Sequence, residues 1–454
     1  MKCIDDEIPF EIPEGWEWTR MGNIGDWGSG STPQRGNSSY YGGSIPWLKT
    51  GELNDGVVYD TAEKITDKAL KECSLRLNKI GDILIAMYGA TIGKVAIAGI
   101  DLTTNQACCG CTPIIVYNEY LFYFLMASKV DFVKKGEGGA QPNISREKLV
   151  SHLMPIPPID EQQRIVLAIK HILPYVTKYT RHQTELDRLN ASIKPSLKKS
   201  ILQEAIQGKL VPQDPNDEPA SVLLERIREE KAKLFKEGKL KKKDLVDSVI
   251  FKGEDNKYYE QIGKEVVDIS EDIPFEIPES WSWSRLSNIC SICTGATFKK
   301  EDATQNQSGV RILRGGNILP FRIYIKDDDI FIPRDAVKDN ILLRQNDIVT
   351  PAVTSLENIG KMARIKSDML TTTVGGFVFI LRPYLNDDIL SEYLLSAMSA
   401  PATVEFMRSI TNKSGQAFYN IGKERLSTTL LPVPPHVEQM RIIENIQYLF
   451  SKLS

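Results

Sequence analysis

The stretch DEIPFEIPEGWEWTRMGNI at residues 6–24 returns as EDIPFEIPESWSWSRLSNI at residues 271–289. The copies share the PFEIPE core, two tryptophans (Trp16 and Trp18, Trp281 and Trp283), an arginine (Arg20, Arg285) and a closing Asn-Ile. A second pair closes each unit: NISREKLVSHLMPIPPIDEQQRI from Asn143 answers NIGKERLSTTLLPVPPHVEQMRI from Asn420. Repetition at both ends reads as two domain-sized repeats. The offset grows from 265 residues (Ile8 to Ile273) to 277 (Asn143 to Asn420), so the second copy has gained 12 residues inside. Inner phrases still echo: IPWLKTGEL (45–53) with VRILRGGNI (310–318), and GDILIAMYGATIGKVAI (81–97) with NDIVTPAVTSLENIGKMARI (346–365). The frame is common and the loops differ, as for one scaffold presenting two surfaces.

The 454 residues, 42% apolar and 25% charged, fit a soluble globular chain long enough for two or three cores. No run approaches the roughly 18 apolar residues that span a bilayer. The acidic, proline-broken start is unlike a signal peptide, so a cytoplasmic location is expected. Seven cysteines, an odd number, fit reduced thiols. Cys108, Cys109 and Cys111 sit in a β-like apolar run and read as core. Cys290 and Cys293 form a lone C-x-x-C with no second pair and no nearby histidine, too little for a zinc site. The net charge of -3 gives no global sign of nucleic-acid binding, although basic clefts can coexist with acidic helices.

Each repeat mixes short β-branched runs (DILIAM, GKVAIA, TPIIVY) with later helical patterns, which predicts mixed α/β domains over residues 1–158 and 271–435. After MPIPPI, Asp160 and Gln163 predict a capping box. Apolar residues then recur from Ile165 through Ile169, Ile172, Val176, Tyr179, Leu186, Leu189, Ile193 and Leu197 to Ile201, a seam for another helix. Pro174 and Pro195 predict a kink or a division, and Gly208 and Pro212 the stop. Some 45 helical residues would reach roughly 65 to 70 Å. Residues 159–238 thus read as a central helical spacer, 239–270 as a polar linker, and 436–454 as a short closing helix. The lysine run KLKKKDL (239–245) reads as a solvated helix end, with a phosphate-contacting patch as the minority alternative.

Catalytic signatures are missing. GATIGKV (89–95) has three residues between its glycines and Val95 after the lysine, where a phosphate loop needs four and Ser or Thr; a glycine-bearing turn is the alternative. GDWGSGS (25–31) has its glycines in the wrong order for a dinucleotide fingerprint. The loops instead carry groups suited to base edges and phosphates. In the first repeat the candidates are Ser29, Ser31, Thr32, Gln34, Arg35 and Asn37, with Lys49, Tyr88, Thr91, Lys94, Gln141 and Asn143 from the recurring phrases. In the second they are Thr294, Thr297, Lys299 and Lys300, with Arg314, Asn317, Lys361, Gln416 and Asn420.

The duplicated IPEGWEW-type opening, the PIPPIDEQQRI phrase starting a long helix, and KKSILQEAIQGKLVPQDPNDEPASVLLERIREEK after it resemble the DNA specificity subunit of type I restriction-modification systems over nearly the whole chain. The resemblance implies two α/β target-recognition domains separated by long helices that form an antiparallel coiled coil. Each domain would read one half of a bipartite, asymmetric site in double-stranded DNA. A DNA turn is about 34 Å, so such a spacer would set the domains one to two turns apart. The same helices would dock two methyltransferase subunits, with restriction/translocase subunits completing the complex. The subunit itself would be non-catalytic and bind no cofactor: S-adenosylmethionine would belong to the methyltransferase, ATP and Mg²⁺ to the motor-nuclease. Glu161, Gln162 and Arg164, with Glu438, Gln439 and Arg441, are candidate partner contacts, and helix capping is their other reading. The closing helix is shorter than is common in the family, and TTTVGGF replaces TTNQACC in the second repeat. A coiled-coil scaffold whose two domains bind proteins is the rival reading, and a stand-alone hydrolase a weaker one.

Overall fold

A computed structural model describes residues 7–136, 143–304, 309–414 and 417–453. The chain divides into two compact units, Met1–Glu185 and Leu186–Ser454. This boundary falls inside the long helix Ile159–Ile206.

In each unit the recurring end phrases pair with each other. Strand Glu17–Arg20 runs antiparallel to Leu153–Ile156, with Trp18 opposite Pro155. Ser282–Arg285 pairs identically with Leu430–Val433, with Trp283 opposite Pro432. Arg20 and Arg285 then donate from Nη1 to the matching carbonyls of Ser151 (2.6 Å) and Thr428 (2.7 Å). A charged donor on a backbone acceptor is a strong hydrogen bond, so each repeat is clasped shut at its ends.

The first unit is built on a five-stranded sheet in the order Gly25–Ser29, Cys108–Pro113, Ile83–Ala86, Val95–Ala98, Gly56–Val58. Its centre is apolar on both faces. Ile83, Ile85, Cys109 and Cys111 pack with Leu121 and Leu125 of helix Asn118–Ala127, while Leu84, Ala86 and Cys108 pack with Leu48 and Leu102. Two buried faces explain the continuous apolar run where a half-exposed strand would alternate, and the three cysteines are core as expected. The second unit repeats this plan, with Cys290–Thr294, Val378–Pro383, Ile348–Pro351 and Ala363–Arg364 in order. The shared IGK phrase also has a structural reason. Gly93 and Gly360 lie at φ +75° and +90°, and a Cβ there would meet Lys129 Cγ at 2.7 Å and Val404 Cγ2 at 2.6 Å. GATIGKV is therefore a tight turn: a 3₁₀ segment Gly89–Thr91 leads into strand Val95–Ala98, not into a phosphate-binding helix.

Three expectations need correction. Residues 239–270 are not a structureless linker: Ser248–Lys252, Tyr258–Ile262 and Glu265–Asp268 form an antiparallel meander. Its strands are short and largely exposed, with apolar and polar residues in no strict alternation. It is anchored by the inward-facing Glu260, whose carboxylate takes Arg285 Nε at 3.1 Å and Nη2 at 2.6 Å. The long helix Ile159–Ile206 is also not divided at Pro174 or Pro195. Each proline deletes one backbone donor, and the turns on either side carry the helix through. Its start uses no Asp160–Gln163 box: the Pro158 carbonyl takes Glu161 N at 2.9 Å and Gln162 N at 3.0 Å. The stop is as expected, with Gly208 at φ +69° donating to Ala205 O.

Within the second unit the closing helix His436–Lys452 runs antiparallel to the chain ending the long helix. Lys198 Nζ sits 5.2 Å from the Phe450 ring centre, Asn445 donates to Leu210 O, and Gln213 to Glu438. Ile442 and Ile446 share a core with Leu202, Ile206, Leu223 and Ile227. Ahead of this contact the seam is bare: Ile172, Val176 and Tyr179 in the first unit, and Leu186, Leu189 and Ile193 in the second, are exposed.

Candidate nucleic-acid interface

The candidates at the helix starts are mostly spent on holding each clasp to its helix. Trp16 Nε1 donates to Glu161 Oε2 at 3.2 Å, and Trp281 Nε1 to Glu438 Oε2 at 2.9 Å. Gln162 Nε2 bonds Pro157 O at 2.8 Å, and Gln439 Nε2 bonds Pro434 O at 3.0 Å. Gln162, Glu438 and Gln439 are at most 1% exposed, and Arg441 is ion-paired to Asp217. Gln162, Glu438 and Gln439 are thus buried in these locks, Glu161 and Arg441 are half-buried, and Arg164 is exposed. Burial also raises the Glu438 carboxyl above its ordinary range.

In the first repeat two of the candidates, Arg35 and Lys49, meet in one ion cluster. Strand Tyr41–Leu48 pairs with Glu63–Ile65 so that Trp47 lies opposite Glu63. The Arg35 guanidinium lies 4.9 Å from the Trp47 ring centre and 5.0 Å from that of Tyr41. Its Nη1 donates to Glu63 Oε2 at 2.7 Å, and Lys49 Nζ takes the other carboxylate oxygen. The Lys49 ammonium and the Arg35 guanidinium together hold the Glu63 carboxyl below its usual range. Ser31 supports the platform by accepting Trp47 Nε1 on its carbonyl at 3.1 Å. Ser29 and Thr32 are half-buried and Gln34 is exposed, while the Asn37 side chain is spent capping Ser39 N.

The second group in this repeat lies around the turn. Tyr88 bridges backbone to Asn143, both exposed, and Thr91 Oγ1 donates to Tyr88 O at 2.8 Å. Lys94 is half-buried at the turn's end. The second repeat reproduces the bridge as Val353 opposite Asn420, with Lys361 half-buried after Gly360. Gln141 and Gln416 lie outside the described residues.

At the level of Lys49 the second repeat has Arg314, whose Nη2 reaches Asp328 O at 3.4 Å. Asn317 faces inward. It is 1% exposed and locks the turn, accepting Arg314 N and donating to Tyr324 O and Asp329 Oδ1. Glu52 does the same for Lys49 N in the first repeat. Arg311 instead lies over the Phe331 ring at 4.9 Å and pairs with Asp329 at 3.2 Å. Thr294, Thr297 and Lys299 are exposed, the last beside Glu301, and Lys300 opens a 3₁₀ turn. Glu63, Trp47, Tyr41, Arg311 and Phe331 were not among the sequence candidates. The alternation in IPWLK was the available signal, but the partner strand could not be read from it.

An arginine on an aromatic face with one edge anchored can offer its remaining donors to phosphate or to guanine. Each repeat carries such an arginine, Arg35 from a loop and Arg311 from the strand Val310–Leu313, with different neighbours.

The family model described as type I restriction modification DNA specificity domain matches twice, over residues 13–186 and 278–454. The chain is 29% identical to the type I restriction enzyme EcoAI specificity subunit of Escherichia coli, an alignment spanning 98% of this chain and 79% of that protein. With the EcoEI specificity subunit of the same organism the figures are 23%, 99% and 80%. A chain solved in work on assembly and conformational transition of the type I R-M system superposes with a TM-score of 0.54 at 16% identity, covering 98% of this chain and 92% of that one. At that identity the likeness speaks for the fold.

Proposed function

The chain belongs to the type I restriction-modification DNA specificity family, and from that premise we propose that it supplies the DNA sequence specificity of such a complex, each repeat reading one half of a bipartite, asymmetric site. The observation that carries the two-half reading is the pair of identically clasped frames holding different side-chain clusters: Arg35, Trp47, Lys49 and Glu63 in the first, Arg311, Phe331, Arg314 and Asp329 in the second. Double-stranded DNA is the ligand, and phosphate contacts fix register while base edges give sequence.

The bare apolar face of the long helix supports docking of two methyltransferase subunits, since exposed apolar stripes mark association surfaces. Restriction/translocase subunits join through that complex. Methyl transfer, with S-adenosylmethionine, and ATP- and Mg²⁺-dependent translocation and cleavage belong to the partner chains, and this chain is non-catalytic. No helix among the described residues is long and apolar enough to cross a membrane, and we place the complex in the cytoplasm with its DNA.

The test is single-molecule sequencing of methylated bases in cells carrying the methyltransferase partner, with and without this gene. Loss of methylation at one split, asymmetric motif is expected. An unchanged methylation pattern with both proteins expressed would revive the protein-binding scaffold.

A further inference from the structure

We infer that Glu63 is a specificity-determining residue: its carboxylate offsets the charge of Arg35 and Lys49 and so weakens their pull on the phosphates of arbitrary DNA, and it orients Arg35 on Trp47 for a base-edge contact. The inference rests on the DNA-reading function proposed above. Its basis is the sharing of one carboxylate between two cations, Arg35 at 2.7 Å and Lys49 on the other oxygen. The Arg35 side chain is 53% exposed, and its guanidinium is fixed by one edge and by two aromatic rings. The half-exposed guanidinium is already oriented, so little side-chain entropy is lost when it meets a planar acceptor pair.

Glu63 offsets the charge that would draw phosphate to either cation, and any duplex supplies phosphates. A guanine edge can be read by Arg35 with Glu63 still in place. The carboxylate therefore weakens sequence-independent binding more than sequence-specific binding. In the second repeat the residue opposite Ile312, the counterpart of Trp47, is Ile330, so the device belongs to the first repeat alone.

The experiment measures binding of the full chain, wild type and Glu63→Gln, to a duplex of arbitrary sequence and to one bearing the methylated motif, across a salt series. Thermal melting checks that the variant is folded. Each phosphate contact adds about 0.9 to the slope of log affinity against log salt, so release of two cations is expected to steepen the arbitrary-duplex slope by about 1 to 2. Affinity for that duplex should rise several-fold and preference for the motif should fall. Arg35→Gln in the Glu63→Gln background should remove about half of the added slope, a readout that a merely structural role would not produce. Wild-type binding with an unchanged slope in Glu63→Gln overturns the role of Glu63 and leaves the DNA-reading function standing. Absence of salt-dependent duplex binding in the wild type overturns both.

Discussion

The two repeats use one lock and finish it differently. In the first, the buried Gln162 is fully used: Nε2 donates to Pro157 O, and Oε1 accepts Tyr117 N at 2.8 Å. In the second, Gln439 keeps the first bond, but Asp387 has taken over capping of the following helix through Leu390 N, and Gln439 Oε1 is buried without a partner. The tryptophan lock shifts the other way. Glu161 is half-buried and serves Trp16, whereas Glu438 is 1% exposed and serves both Trp281 and Gln213. Duplication preserved the positions of the frame, and the distribution of strain and satisfaction within it drifted.

The largest effect should come from breaking the division of labour. Replacing residues 28–43 with the loop of a related protein is expected to change one half of the methylated motif and leave the other intact. A change in both halves, read by the same sequencing, would end the one-repeat, one-half comparison.

Next come the locks. Glu438→Ala leaves two donors without their acceptor in a closed site, and should cost about 2 to 3 kcal/mol; Glu161→Ala, half-solvated, should cost about 1. Denaturant titration of each variant checks the order. The glutamines should reverse it. Gln162→Leu orphans Tyr117 N–H and should cost about 2 kcal/mol, while Gln439→Leu removes an already orphaned carbonyl and should cost under about 1.

The smallest effect is acid sensitivity. His152, packed against Phe132 and Phe124, has its pKa lowered to about 4 by burial and then by the Lys135 ammonium. Between pH 6.5 and about 4 the unfolded chain takes up a proton that the folded first unit refuses, so its stability is full above this window and falls as pH drops through it. The second repeat has Thr429 at this place, bonded to Leu426 O. His152→Thr should flatten the pH dependence of melting of the first unit, and an unchanged profile would assign the acid response elsewhere.

The frame was legible because its signals are local and doubled. The end phrases recur since they pair with each other, and the IGK glycines recur since both turns need positive φ against a helix. The candidate sites were less legible, because whether a polar side chain is free depends on tertiary register. Asn317 and Asn37 look like base-reading residues and are consumed by turns. Glu63 looks like an ordinary surface acid until strand pairing sets it opposite Trp47. The meander at 248–268 was missed because its three strands are only four or five residues long, and their apolar residues fall in adjacent runs with no period of two.

The clasp at each repeat has a consequence for how such chains change. Because Arg20 and Leu153, like Arg285 and Leu430, are held as neighbours, everything between them is a loop whose ends are already joined. Loop-closure entropy grows only with the logarithm of length, so the 12 extra residues of the second interior add about 0.1 kcal/mol or less to closing it. Interiors can therefore lengthen, shorten or be replaced with almost no thermodynamic signal reaching the rest of the chain, and what limits them is only whether they still fold around the central strands.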